Sequence, residues 1–126
     1  MITDTNVGDF LSQRHPDFAP AYKEHVEHWG TEPAMRYALL QRFAQEFMVP
    51  RLRTGCAEER ARLFDTVEQL LTDGDVLIDD AVDHEISDEF VYVGYRLKDD
   101  PVDLTGAGPL ATERIDRTRN WRPGGQ

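Results

Sequence analysis

The sequence predicts an all-α fold, a small orthogonal or antiparallel bundle of about five to seven helices assembled from helical hairpins. Three observations lead there. In the stretch from Pro33 to Met48, Tyr37, Leu39, Leu40, Phe43, Ala44, Phe47 and Met48 fall in one continuous arc of the helical wheel. That arc covers roughly half the circumference, wider than the ~100° stripe of an ordinary surface helix, so this helix needs neighbours on two sides. In a second stretch, Ala57 to Thr72, the residues Leu63, Phe64, Val67, Leu70 and Leu71 share one narrow face. Finally, only FVYVGYRL, residues 90–97, is strand-like by propensity. A lone strand cannot pair its backbone groups, so a short helix is expected there instead.

The elements follow in order. Asp4 to Arg14 carries Val7, Phe10 and Leu11 at helical spacing, with Thr3 or Thr5 available as a cap and Gly8 weakening it. Pro16 ends it, because the residue before a proline is pushed out of the α region. A second helix is expected from Asp17 or Ala19 to Trp29, with Pro20 in its first turn and Gly30 as its stop. Phe18, Tyr22, Val26 and Trp29 line one side of it. The central helix is capped by Thr31, has Pro33 in its first turn, and should stop at Pro50. Arg51 to Cys56 then reads as a short basic connection.

The fourth helix begins with Glu58 and Glu59, which complement its dipole, and Gly74 follows its end. Asp75 is placed to cap a fifth helix containing Val76, Leu77, Ile78, Ala81 and Val82. Ser87 resembles a further cap, and 99–108 (DDPVDLTGAG) is turn chemistry. Pro109 opens a last, mostly polar helix to about Asn120, with Leu110 and Ile115 as its anchors. Residues 1–122 are read as one helical domain and 123–126 as a tail. The hairpins formed by helices two and three and by helices four and five share a helix–Gly–helix rhythm without sequence identity, a faint suggestion of a repeat.

Composition restricts the function classes. With 126 residues the chain is long enough to bury a core without staples, and Cys56 is its single cysteine. No signal-peptide pattern opens the sequence and no apolar run approaches the length of a membrane span, so a cytoplasmic location is expected. The net charge is −10. Between Asp65 and Asp103 there are thirteen acids against Arg96 and Lys98, so this segment alone accounts for the whole excess. A field of that sign repels phosphate backbones and attracts basic proteins.

Several residues invite a chemical role, and each has a plainer reading beside it. His25 and His28 stand i, i+3 with Glu24 and Glu27 interleaved, whereas a helical zinc pair needs i, i+4. His25 also falls inside the apolar arc, so a half-buried, hydrogen-bonded histidine is expected and no metal. The run DGDVLIDD fails as a calcium loop, since alignment on Gly74 puts Gln69 where the first acid belongs. Asp75, Asp79 and Asp83 share one helical side at i, i+4, i+8, with Asp80 beside them. Like charges at that spacing are mildly destabilising, so these four are the candidate docking residues for a basic partner. Gly106-Ala107-Gly108 lacks the spacing of a phosphate loop, and no nucleophile–base pair or cofactor loop is found. Arg36 is the one charge inside the central apolar arc and should pair with a carboxylate. Tyr22, His25 and Arg36 are the candidate lining of a ligand cleft between helices.

The residues YKEHVEHWG, the proline-initiated apolar helix after them, and RARLFDTVEQLLTDGD, about Tyr22 to Val82 in all, resemble a group of small uncharacterised bacterial helical proteins. Some small acidic proteins of this general type are immunity proteins. The resemblance implies a module that binds and blocks a cognate toxin; with the acid excess and the lack of a catalytic motif, a non-enzymatic protein-binding module for a basic partner or toxin is expected, without nucleic acid, membrane or cofactor. It carries no site residues over. A ligand-binding domain or enzyme using the Tyr22–His25 cleft, and a homo-oligomeric structural protein, are the alternatives.

Overall fold

In the computed structural model of the chain, residues 1–30, 36–87 and 105–120 are described, and they form six helical runs with no strand among them. The all-α bundle expected from the periodicity is the observed fold. We label the runs α1 (Val7–Arg14), α2 (Ala19–Trp29, preceded by a 3-10 turn at Pro16–Phe18), α3 (36–54), α4 (Ala57–Asp73), α5 (76–87) and α6 (Pro109–Asn120). The start of the central helix, the segment 90–97 and the tail expected at 123–126 lie outside the described residues.

The central helix departs from the expected one in its middle and at its end. It is α-helical over Arg36–Arg42, π-helical over Phe43–Met48 and α-helical again over Val49–Thr54. Pro50 therefore does not end it, and Arg51 to Thr54 belong to the helix rather than to a connection. The reason is hydrogen-bond register. The Val49 amide bonds back to the Ala44 carbonyl, five residues away, so the turn ahead of the proline is widened. Pro50 lies within the first two residues of the resumed α-helix, where a missing N–H costs little. The wide turn also explains the broad apolar arc: Phe43, Ala44, Phe47 and Met48 are all buried, whereas Gln45 and Glu46 are exposed.

Around that segment the rings of Phe18, Phe43 and Phe47 pack together with the ring of His15. Phe18 stands edge-on to Phe43 at 5.1 Å, and Phe43 stacks on Phe47 at 5.5 Å. Pairs of this kind add about 0.5–1.5 kcal/mol each beyond the area they bury. Leu63, Phe64, Val67, Leu70 and Leu71 of α4 complete this core with Ile78, Ala81 and Val82 of α5 and Ala111 and Ile115 of α6.

Local signals account for most helix ends. Gly30 stops α2 at φ 79°, a left-handed conformation that side-chain-bearing residues rarely adopt. Asp75 caps α5, its Oδ1 accepting from the Ile78 amide at 2.9 Å. The start of α1 differs from expectation, since neither Thr3 nor Thr5 caps it. Asn6 instead closes the preceding turn, accepting from the Thr3 amide at 2.7 Å and donating to the Met1 carbonyl. Ile2 is threaded between helices four and five, its amide donating to the Asp73 carbonyl and its carbonyl accepting from the Asp75 amide. That tie holds the residues after it against the bundle.

Candidate functional site

A recess opens between α1, α2 and the first turn of α3 and takes in about 450 Å³, its open mouth included. Its polar lining is Asp4, Thr5, Tyr22, His25 and Arg36, and Val7, Val26 and Leu39 form its apolar wall. Each element supplies its residue for a local reason. The Ile2 tie and the turn from Thr3 to Asn6 place Asp4 at the rim. Gly8 brings α1 against α2, since a Cβ there would land in the Tyr22 ring. Tyr22 and His25 are one turn apart on α2, and Arg36 and Leu39 one turn apart on α3.

The charged pair in this recess is well shielded. Arg36 Nη1 donates to Asp4 Oδ2 at 3.3 Å, with the two side chains 14% and 12% exposed. The Arg36 guanidinium also lies over the Tyr37 ring, 4.8 Å from its centroid. The expected carboxylate partner of Arg36 is thus Asp4. His25 is 3% exposed. Burial, followed by the charges of Arg42 and His28, lowers its pKa below the ordinary value, so the ring is neutral at pH 7. Among the described residues, His25 Nε2 and Asp4 Oδ1 are buried without a hydrogen-bond partner. The bond expected for His25 is therefore absent at Nε2, and its burial is deeper than the sequence suggests. Tyr22 is half-buried, and burial with the nearby Asp9 charge raises its phenol above the ordinary range.

The acidic candidates are spread over several internal contacts. Arg114 of α6 forks onto Asp79, with Nη1 to Oδ1 at 2.6 Å and Nη2 to Oδ2 at 2.9 Å, and reaches Asp83 Oδ1 at 3.1 Å. The bonds from Asp79, opposed by burial and aided by Asp83, hold the Arg114 guanidinium above its ordinary pKa. Asp79 and Asp83 are part-buried, not open carboxylates. Asp75 is engaged as the α5 cap. Asp80 is exposed and accepts from the Tyr37 hydroxyl, with His84 beside it. Trp29, expected on the inner side of α2, is 53% exposed, and the ring of His28 stands edge-on to it.

The amides at the start of α6 are occupied by the protein's own carboxylate: Glu68 accepts from Leu110 at 2.8 Å and from Ala111 at 3.1 Å. Gly108 makes room for it, because a Cβ there would overlap that carboxylate. Cys56 is exposed at the rim of a second hollow lined in part by His15, Arg51, Glu58, Glu59 and Arg62. Among the described residues no group of three or more His, Cys, Asp or Glu could hold a metal ion. No helix of the described residues is long and apolar enough to cross a membrane. Asp4, Glu68 and Arg114 escaped sequence reading, since their partners lie 32, 42 and 31 or more residues away.

Comparison with protein-family models, curated proteins and solved structures finds no match.

Proposed function

We propose that the chain is a binding, non-catalytic helical domain that takes a small molecule in the recess bounded by Asp4, Tyr22, His25 and Arg36. The observation that carries this reading is the pair of buried polar atoms there, His25 Nε2 and Asp4 Oδ1, without partners among the described residues. Buried polar atoms left unpaired cost about 1–3 kcal/mol each, a cost that a bound molecule would relieve. The mixed lining of the recess fits the usual pattern of apolar walls with a few placed polar groups.

The test is a fragment screen by protein-observed NMR, run on the wild type and on Val26→Trp, which fills the recess. Fragments that shift the amides of Tyr22, Val26 and Leu39 in the wild type and lose their effect in the folded variant support the reading. A diverse library without a single such fragment refutes it.

A second reading keeps the sequence expectation of an immunity-type module that engages a basic partner. Its support is the acid excess between 65 and 103, with Asp80 exposed on α5. Because Asp79 and Asp83 are held by Arg114, the informative substitution is Asp80→Lys. On this reading a partner recovered from the source cells associates more slowly with that variant, and more slowly as salt rises. Equal association rates at low salt would end it.

A further inference from the structure

The hollow beside Cys56 shares no lining residue with the recess and takes in about 770 Å³, its open mouth included. It opens where the turn after α1, the last turns of α3 and the start of α4 meet. One of its cations is already engaged. The Arg51 guanidinium lies over the Phe47 ring, 3.8 Å from the centroid, with Nε bound to Glu59 at 2.9 Å. Glu58 and Arg62 are not engaged. They stand i, i+4 on α4 with the acid first, the better order for a helical ion pair, yet among the described residues neither side chain makes an ion pair or a hydrogen bond. Both are exposed and line the hollow. His15 is the third group with unmet capacity. Its ring is 4% exposed, and Nε2 gives its hydrogen to Thr66 Oγ1 at 2.7 Å, because that hydroxyl gives its own to the Arg62 carbonyl. Nδ1 is then a bare lone pair. It has no partner among the described residues and is not one of the sealed polar atoms, so it opens into the hollow that the ring lines. Burial, with Arg62 as the leading charge, lowers the pKa of this imidazole to about 4, so it remains an acceptor at pH 7.

We propose that this hollow binds a small zwitterion of the α-amino-acid type. The ligand carboxylate goes to Arg62, and the hydrogens of its ammonium group go to His15 Nδ1 and the Glu58 carboxylate. A plain carboxylate would answer Arg62 but would face Glu58 and bring no hydrogen to Nδ1. A plain amine would answer Glu58 and Nδ1 but would face Arg62 uncompensated. Only a molecule with both groups meets all three side chains, and it keeps apart a cation and an anion that would otherwise pair along the helix. Pro16 and the Arg51 guanidinium, fixed on Phe47, wall the rest of the hollow. The site is independent of the proposed recess, so the two readings stand or fall separately.

Free leucine, isocaproate and isoamylammonium share a carbon skeleton and carry both charges, the negative one alone or the positive one alone. Their affinities are measured by NMR titration at pH 7 on the wild type, Arg62→Gln and Glu58→Gln, which alter exposed side chains and leave the core intact. On the wild type, leucine should bind about tenfold or more tightly than either half-molecule, since each of those lacks a charged hydrogen bond. It should shift the amides of Cys56, Glu58 and Glu59 and move the nitrogen resonance of His15 Nδ1 upfield, as a new hydrogen bond to that lone pair requires. Arg62→Gln should remove the advantage of leucine over the amine, and Glu58→Gln should reduce its advantage over the carboxylate. A half-molecule that matches leucine, an Nδ1 resonance that does not move, or an affinity indifferent to Arg62→Gln would overturn the proposal. Silence of the Cys56, Glu58 and Glu59 amides at tens of millimolar leucine would overturn it too. The recess is read at Tyr22, Val26 and Leu39 in its own screen, so neither result decides the other.

Discussion

Replacing Arg114 by Leu is the most informative perturbation of the fold, because that side chain ties α6 to α5 by charge. Arg114 is 18% exposed, and Asp79 and Asp83 are 33% and 34% exposed. A fully exposed ion pair contributes about 0–1 kcal/mol, whereas breaking a buried one costs about 3–5 kcal/mol. These side chains lie between the two cases, and solvent screening at Asp83 argues for the lower half. The loss should therefore be about 2 kcal/mol, part of it the repulsion of two carboxylates i, i+4 on one helix once their shared cation is gone. Urea titration measures it as a fall in midpoint at constant slope. A cycle combining Arg114→Leu with Asp79→Leu should give a coupling of about 1–2 kcal/mol. Most of that coupling should survive 0.5 M salt, since part-buried pairs are weakly screened. A total loss below about 0.5 kcal/mol, with no coupling, would mean that the fork is an ordinary surface contact. Ala111 and Ile115, with the Glu68 carboxylate at its first amides, would then hold α6.

Three further outcomes are expected. Phe43→Ala should cost about 3–5 kcal/mol in denaturant titration, because Phe43 is fully buried between Phe18 and Phe47; a loss under about 1 kcal/mol would remove it from the centre of the core. Gly8→Ala ought to gain up to about 1 kcal/mol from helix propensity alone, yet the Tyr22 ring occupies the space a Cβ would take, so a net loss of about 1–3 kcal/mol is expected, and a gain would refute that contact. His15 has its pKa lowered from 6.5 to about 4, chiefly by burial and then by Arg62, Arg14 and Arg51. Between those values the unfolded chain binds the proton and the folded chain does not, so stability falls as pH drops from about 6.5 to 4, by about 3 kcal/mol at most. In His15→Gln this share of the acid loss should vanish, and identical pH profiles for the two proteins would refute it.

How far the fold could be read from the sequence depended on whether each signal was local. Helix α4 was legible almost to the residue, because its apolar positions repeat at the α period and its acidic first turn and glycine stop are local to it. The middle of α3 was not, since a wheel drawn at the α period has no place for an i to i−5 turn. The same wheel did register the consequence, an apolar arc too wide for a surface helix. Pro50 looked like a terminator for the same reason, as its cost depends on the register of the turn before it. His15 illustrates a buried polar group with no local signal. The hydroxyl of Thr66 gives its one hydrogen to the Arg62 carbonyl at 2.9 Å, so it must accept from His15 Nε2, 2.7 Å away. That contact spans 51 residues and fixes the tautomer.

For the recess, the sequence supplied three of the five polar side chains: Tyr22 and His25 because they share a helical side, Arg36 because it is a charge in an apolar arc. Asp4 stands in a polar segment where any acid would look alike, and only the Ile2 tie makes it special. Composition counts charges without their partners, and several of this chain's carboxylates are engaged inside the fold. Glu68 occupies the N-terminal amides of α6, Asp75 begins α5, Asp79 and Asp83 share Arg114, and Asp4 balances Arg36. The last helix shows why. Among its described side chains only Ala111 and Ile115 are fully buried, little apolar surface for a helix of twelve residues, and its basic and amide groups find counterparts on α4 and α5. A stripe of like charges along α5, costly in an isolated helix, becomes a docking track once α6 carries the matching cation. Asp79 and Asp83, two of the four carboxylates expected to meet a foreign cation, have Arg114 of the same chain as theirs.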